Sequence, residues 1–394
     1  MQCDYFDAGR CRSCTLMGVP YAAQLASGQR RVAETLERHV PAEVWLPPVS
    51  GPESHFRNKA KLVVGGRKGA PTLGILDDGG RGVDLRHCGL HEEPLHRAIL
   101  ALADLLPGSG LTPYDVPSRQ GELKHVLLSV SPDAELMARF VLRSPGQRAR
   151  VEELLARLRT ALPGLRVASI NLQPEHKAVL EGPEEVVLTP ERTLPMRVGA
   201  MTLHLGTRSF FQTNTQVAGA LYAQVAQWVA AERPRSVWDL YCGVGGFALA
   251  CATAAPGWTP DVLGVEVSAE AVASARLGAE QLGLTDHVHF RTGDATAQLD
   301  AAAPLDADAG PDPEAGRADP QTLVVNPPRR GIGPRLAGAL ERSGAATVVY
   351  SSCNPSSLAT DLSRLPSWRV ERARLFDMFP QTSHHEVAVL LHRR

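Results

Sequence analysis

Ser236-Val237-Trp238-Asp239-Leu240-Tyr241-Cys242-Gly243-Val244-Gly245-Gly246-Phe247 reads as an apolar strand, a glycine-rich turn and the start of a helix. Gly243 and Gly245 let the backbone turn tightly and approach a ligand closely. Glu266 closes the next strand, Val262-Leu263-Gly264-Val265-Glu266. It falls about twenty residues on, where an acid accepts hydrogen bonds from ribose hydroxyls. Strand, glycines and acid in register point to a bound nucleoside cofactor rather than a merely structural turn.

The rhythm around this stretch agrees. From about Ser209 onward, helices and strands alternate. A helix over Val217 to Ala230 precedes the first strand. Further strands are predicted at 287–290, 323–325, 347–350, 370–376 and 387–391. Seven strands with intervening helices predict an open, doubly wound α/β sheet, a Rossmann-like domain over 206–394. Residues 300–320 are rich in Ala, Asp, Pro and Gly and read as a mobile surface loop without catalytic content. Ahead of this domain, residues 20–40 read as a helix carrying Leu25, Val32, Leu36 and Val40, ended by Pro41. From Phe56 to Thr202, strand-like runs are interrupted by helical stretches near 94–106 and 146–161. Residues 1–205 are therefore read as an N-terminal α+β region.

The chain has 394 residues, 44% of them apolar, a formal net charge of −1 and seven cysteines. That length allows two or three domains. The near-neutral balance means that any nucleic-acid surface is a local basic patch. Ser54 to Gly69 holds His55, Arg57, Lys59, Lys61, Arg67 and Lys68, with no acid after Glu53 until Asp77. Phe56 among these charges is expected to stack a base while they meet phosphates; the plainer alternative is a solvated hairpin face. The first ten residues lack the apolar core of a signal peptide, and no run is long enough to span a bilayer. A cytoplasmic protein with reduced or metal-bound cysteines is expected.

Cys3, Cys11 and Cys14 crowd the N-terminus, and Cys88 follows. Four thiolates suit a tetrahedral zinc or a four-iron cluster, and spacing alone does not choose between them.

Three runs near the C-terminus carry chemistry. Asn326 opens Asn326-Pro327-Pro328-Arg329-Arg330-Gly331 after the fourth strand. This run favours S-adenosylmethionine over a dinucleotide. Cys353 ends the fifth strand in Ser351-Ser352-Cys353-Asn354-Pro355, and Glu386 precedes the last strand. Ligands in open α/β sheets bind at the carboxyl ends of parallel strands. An antiparallel last strand would bring Glu386 to the edge that already carries Asn326 and Cys353. A thiolate adding to C6 of a pyrimidine makes C5 nucleophilic, and a base must then remove the C5 proton. Cys353 suits the nucleophile. Its place before a helix capped by Asn354 is expected to lower its pKa below ~8.5. Glu386 suits the base better than its neighbours His384 and His385, because a carboxylate beside an apolar strand needs a reason to be there. Cys242 and Cys251 are read as packing thiols. Asp294, after the third strand, either bonds an adenine amino group or is a turn residue.

These runs, with Phe56-Arg57-Asn58-Lys59, Ser209-Phe210-Phe211-Gln212-Thr213-Asn214 and Phe376-Asp377-Met378-Phe379-Pro380, closely resemble the bacterial RNA uracil-C5 methyltransferases. The resemblance covers nearly the whole chain and is closest to the branch that modifies 23S rRNA. It implies methyl transfer from S-adenosylmethionine to C5 of a specific uridine in 23S rRNA. It also implies a [4Fe-4S] cluster on Cys3, Cys11, Cys14 and Cys88, and a cofactor site lined by Gln212, Tyr241, Glu266 and Asn326. Cys353 would be the nucleophile and Glu386 the base. The wider family often has aspartate where this chain has Asn326. No β-barrel RNA-binding domain is expected ahead of Cys3. No membrane, DNA or obligate protein partner is expected. Other readings are methylation of another rRNA or tRNA uridine, exocyclic-amine methylation, or a non-catalytic iron–sulfur RNA-binding protein. Amine methylation usually has an aromatic where Arg329 stands, and it has no use for Cys353.

Overall fold

A computed structural model describes residues 1–177, 179–300 and 320–394; most of the 300–320 loop lies outside the described residues. The chain opens with a short helix, α1 (Asp4–Asp7), and a long one, α2 (Tyr21–Leu36). Then come β1 (Lys59–Arg67), β2 (Ala70–Leu76), β3 (Gly82–Asp84), α3 (Glu93–Leu105), β4 (Leu123–Val130), β5 (Leu136–Leu142), α4 (Arg148–Ala161), β6 (Leu165–Leu172) and β7 (Glu184–Val187). These strands form one sheet in the order β3-β2-β1-β4-β5-β6-β7. Every neighbouring pair is antiparallel except β5–β6, which α4 joins by a crossover. Leu95, Ile99 and Leu102 of α3, with Leu154 and Leu158 of α4, cover one face of the sheet.

A hairpin, β8 (Leu194–Val198) and β9 (Met201–Leu205), leads into α5 (Thr215–Glu232). Then follow β10 (Ser236–Leu240), α6 (Gly246–Ala252), β11 (Asp261–Glu266), α7 (Ala269–Gln281), β12 (Val288–Thr292), α8 (Ala295–Leu299) and β13 (Thr322–Val325). The chain closes with α9 (Gly333–Arg342), β14 (Thr347–Ser352), α10 (Pro355–Leu362), β15 (Trp368–Phe376) and β16 (Glu386–Arg393). The second sheet runs β12-β11-β10-β13-β14-β16-β15. β16 runs antiparallel to both β14 and β15, and the other described pairs are parallel. Its central strands are buried on both faces, as parallel strands covered by helices are.

The predicted helix over 20–40 is α2, which ends earlier, at Leu36. Its buried face is Gln24, Gly28, Val32 and Leu36, four residues apart. Val32, Leu36 and Val40 join the core under β13, β14 and β16, so this N-terminal helix is part of the wall of the second sheet. Among the described residues, no helix is long and apolar enough to cross a membrane.

Candidate active site

The turn after β10 is the cradle that its glycines suggest. Gly243 and Gly245 take φ of 53° and 87°, left-handed values that a side chain resists. A Cβ on Gly245 would lie 2.9 Å from the Phe290 ring, whereas nothing lies within 4 Å of one on Gly243. The open side of the turn is therefore at Gly243. Tyr241 also takes a positive φ, 66°. Glu266, at the end of β11, accepts hydrogen bonds from Gly243 N at 3.2 Å and from Ser268 N at 3.0 Å. Asn326 N lies 3.5 Å from the Leu240 carbonyl, beside the turn. Burial raises the Tyr241 phenol; Asp294 and Glu266 reinforce the rise, and Arg330 opposes it. Tyr241, Gly243, Gly245, Glu266, Asp294 and Asn326 therefore share one edge. Asp294 is exposed, and its Oδ1 accepts from Thr296 N and Ala297 N, each at 3.0 Å. That is the geometry of a helix cap. Gln212 is buried in the segment before α5, with its carbonyl held by Asn58 Nδ2 at 2.9 Å.

Asp239 received no role from the sequence. It is fully buried, and its Oδ2 accepts from Ala248 N at 2.9 Å. Burial pushes its carboxyl up to about 8. An acid inside an otherwise apolar strand was the available signal.

At the other end of the same edge, β16 runs antiparallel to β14 with Ser352 opposite Val387. Cys353 and Glu386 are the next residues outward on each strand, so the register sets them across from one another. Glu386 is only 1% exposed and accepts from Ser351 Oγ at 2.6 Å. Burial pushes its carboxyl up to about 7, with Ser351 opposing. A group at that value is half-charged near neutrality, as a working base requires.

Cys353 is partly buried and precedes α10, where Asn354 caps by accepting from Ser356 N. The expected lowering of its pKa is not found: burial and the neighbouring Glu386 charge push the thiol up, and Arg329 only partly offsets them. The cysteine sits ahead of the capping residue, where the helix end is felt weakly, while the carboxylate faces it directly. Asn354 Nδ2 donates to the Arg329 carbonyl at 3.1 Å, joining the Pro328–Gly331 loop to this helix. Cys242 and Cys251 are buried, and desolvation raises both thiols, as packing residues. His384 is exposed; His385 is buried against α2.

The four N-terminal cysteines are free thiols. Burial first, then the neighbouring Cys88, Cys11 and Cys3, push the Cys14 thiol up to about 11. The four therefore lie near one another. Yet among the described residues no group of three or more His, Cys, Asp or Glu is arranged to hold a metal ion. Phe56 does not stand out among the basic residues. It is 3% exposed and packs with Cys14 and Leu90, so it is closed to a stacking base. His55, Lys61, Arg67 and Lys68 are exposed, while burial lowers Lys59 to about 8.

A parallel sheet with one antiparallel strand, a glycine cradle and an acid at the second strand end define a Rossmann-like nucleoside-cofactor domain. A model of the family described as tRNA (Uracil-5-)-methyltransferase matches residues 190–394. A protein of Halothiobacillus neapolitanus named 23S rRNA (uracil(747)-C(5))-methyltransferase RlmC is 46% identical over 394 residues, covering 100% of both chains. A protein of the same name from Edwardsiella ictaluri is 45% identical, covering 100% of this chain and 99% of its own. The solved structure of Pyrococcus abyssi tRNA (uracil-54, C5)-methyltransferase with S-adenosyl-L-homocysteine shares the fold. Its TM-score is 0.74 at 22% identity, covering 96% of this chain and 85% of that one. The chain belongs to the RNA uracil-C5 methyltransferase family.

Proposed function

We propose that the protein methylates C5 of a uridine in 23S rRNA, at the position its relatives are named for, uracil 747. The observation that carries this reading is the register of β14 and β16, which sets a thiol across from a buried carboxylate. Tyr241, Gly243, Gly245, Glu266, Asn326 and Gln212 would hold S-adenosylmethionine, with Asp294 at the rim. When bound, the cofactor would supply an electrophilic methyl group on a sulfonium, and the S–CH3 bonding pair would stay on the sulfur as a neutral thioether. Cys353 Sγ, as thiolate, adds to C6 of the uracil and so loads C5 with nucleophilic density. Once the C5–methyl bond has formed, Glu386 removes the C5 proton. The electron pair then restores the C5–C6 double bond and expels Cys353. Arg329 favours the thiolate that begins the cycle, and Ser351 holds the carboxylate that ends it. The target base leaves its stack to reach this edge. Exposed Lys61, Arg67 and Lys68 offer phosphate contacts.

We infer that Cys3, Cys11, Cys14 and Cys88 hold a [4Fe-4S] cluster. Cys88, Cys11 and Cys3 all lie close enough to raise the Cys14 thiol, and the four-thiolate set together with the family resemblance supports the cluster. A tetrahedral zinc site needs four sulfurs at about 2.3 Å from a single centre. A four-iron cluster spreads its four thiolates over a larger core. Methyl transfer needs no electrons, so the group would order the N-terminal segment. Anaerobic reconstitution tests it: near four irons per chain with visible absorption supports the cluster, and one zinc with no colour overturns it.

The function itself is tested by incubating 23S rRNA that lacks the modification with the protein and S-adenosylmethionine, then mapping modified nucleosides by mass spectrometry. New 5-methyluridine at position 747 is the expected result. A methyl group on a nitrogen of adenine or cytosine would remove the role assigned to Cys353.

A further inference from the structure

The loop that delivers Glu386 runs from the end of β15 to the start of β16. Apart from short-range bonds within the segment and to Phe376, its described hydrogen bonds go to the first 53 residues of the chain. Gln24 Nε2 donates to Gln381 Oε1 at 2.9 Å, and Gln24 Oε1 accepts from Gln381 N at 3.1 Å. Leu16 N donates to the Gln381 carbonyl at 3.0 Å. Gln381 Nε2 donates to Glu53 Oε2 at 3.1 Å, and Tyr21 OH donates to Asp377 Oδ2 at 2.8 Å.

Two features show that this contact is shaped rather than incidental. Gln381 takes a φ of 70°, which a non-glycine residue keeps only when its surroundings over-determine it. Its side chain is 1% exposed and Gln24 is 4% exposed, so both amides rely on each other and on nearby protein partners for their hydrogen bonds. Next, His385 is seated directly on Gly28 of α2. A Cβ at Gly28 would overlap His385 Nε2 and lie 2.8 Å from Cε1. His385 adjoins Glu386 in the chain, so any side chain at residue 28 moves the carboxylate's neighbour.

We propose that Gln24 and Gly28 are positioning residues for the base: through Gln381 and His385 they fix the loop that aims Glu386 at the C5 proton. This rests on the uracil-C5 reading of the site. Glu386 acts only after the thiol has added and the methyl group has moved. A mis-aimed carboxylate therefore slows release of the covalent Cys353–RNA complex and leaves its formation intact. Displacement by about 1 Å is enough to cost up to a hundredfold in a catalytic step.

The test uses the full-length protein, an unmodified 23S rRNA fragment and S-adenosylmethionine. It compares wild type with Gln24→Met, Gly28→Ala and a core control, Leu158→Ala, which lies on α4 away from the loop. The first removes the amide at nearly constant volume; the second removes no hydrogen bond and favours helix. Turnover and the denaturant-resistant protein–RNA complex are both measured. Gln24→Met and Gly28→Ala are expected to lose about tenfold in turnover while the trapped complex rises several-fold. Leu158→Ala should lower both signals together. If either loop variant lowered product and complex in parallel, or left both unchanged, the positioning role would be overturned. Wild-type protein that makes no 5-methyluridine would instead overturn the uracil-C5 reading, and this proposal with it.

Discussion

The cradle at β10 and β11 and the thiol–carboxylate pair at β14 and β16 occupy one edge of one sheet, but different contacts hold them. The cradle is nearly self-contained. Glu266 bonds the Gly243 amide 23 residues away, and Asp239 bonds the Ala248 amide nine residues away. The base side depends on distant chain. Its loop is tied to Gln24 by bonds spanning 357 residues, and α2 packs beneath the strands that carry it. A cofactor cradle repeats one geometry, which a short motif specifies. A base must meet one proton on one bound RNA, and its loop draws on the whole fold. Damage to the two regions should therefore look different: lost cofactor affinity in one, a stalled covalent intermediate in the other.

The largest effect separates the regions cleanly. Cys353→Ala should cut turnover at least about a thousandfold by removing the covalent route. Calorimetry should still show unchanged S-adenosylmethionine binding, since Cys353 lies at the far end of the edge. A parallel loss of affinity would break the distinction.

Glu386 offers a test through stability. Its folded value of about 7 lies above that of an exposed carboxyl. The folded chain thus keeps a proton that the unfolded chain releases from about pH 4.3 upward. The contribution of this group to stability is complete below that pH and is lost as pH rises towards 7. Glu386→Gln, which keeps an acceptor for Ser351, should remove this cost. Its unfolding free energy should match wild type near pH 4.5 and exceed it increasingly up to pH 8, by on the order of 3 kcal/mol. A pH-independent difference would contradict the buried, proton-binding carboxylate.

Gly245→Ala sharpens the cradle side. The added Cβ meets both a left-handed φ and the Phe290 ring. It should cost about 1–3 kcal/mol, read as a lower denaturation midpoint, together with weaker cofactor binding. No covalent complex should accumulate. The smallest effect falls to Ser351→Ala. Ser351 holds the Glu386 value down, so its removal raises that value further. The rising limb of the pH–rate profile should move to higher pH, with a loss of several-fold at neutrality.

Most of the cradle was legible in the sequence because its determinants are neighbours in the chain and its glycines have one structural meaning. Cys353 and Glu386 were legible as chemistry, but their pairing waited on the direction of β16. The thiol's raised pKa was missed because the helix behind it is a local feature, whereas the opposing carboxylate arrives from another strand. Phe56 was misread for a similar reason. Among six basic neighbours it looks exposed, but Cys14 and Leu90 come from elsewhere to bury it. Gln24 and Gly28 gave no signal at all. On a helical wheel they weaken an apolar stripe, and only the fold shows that their partners are Gln381 and His385.

The central claim is that Cys353 and Glu386 act in succession on one uracil. Glu386→Gln, mixed with unmodified 23S rRNA fragment and S-adenosylmethionine and run on a denaturing gel, tests it most directly. The account predicts a slow band that carries both protein and methylated RNA, absent when Cys353 is also replaced by alanine. Full turnover with no trapped complex would contradict it.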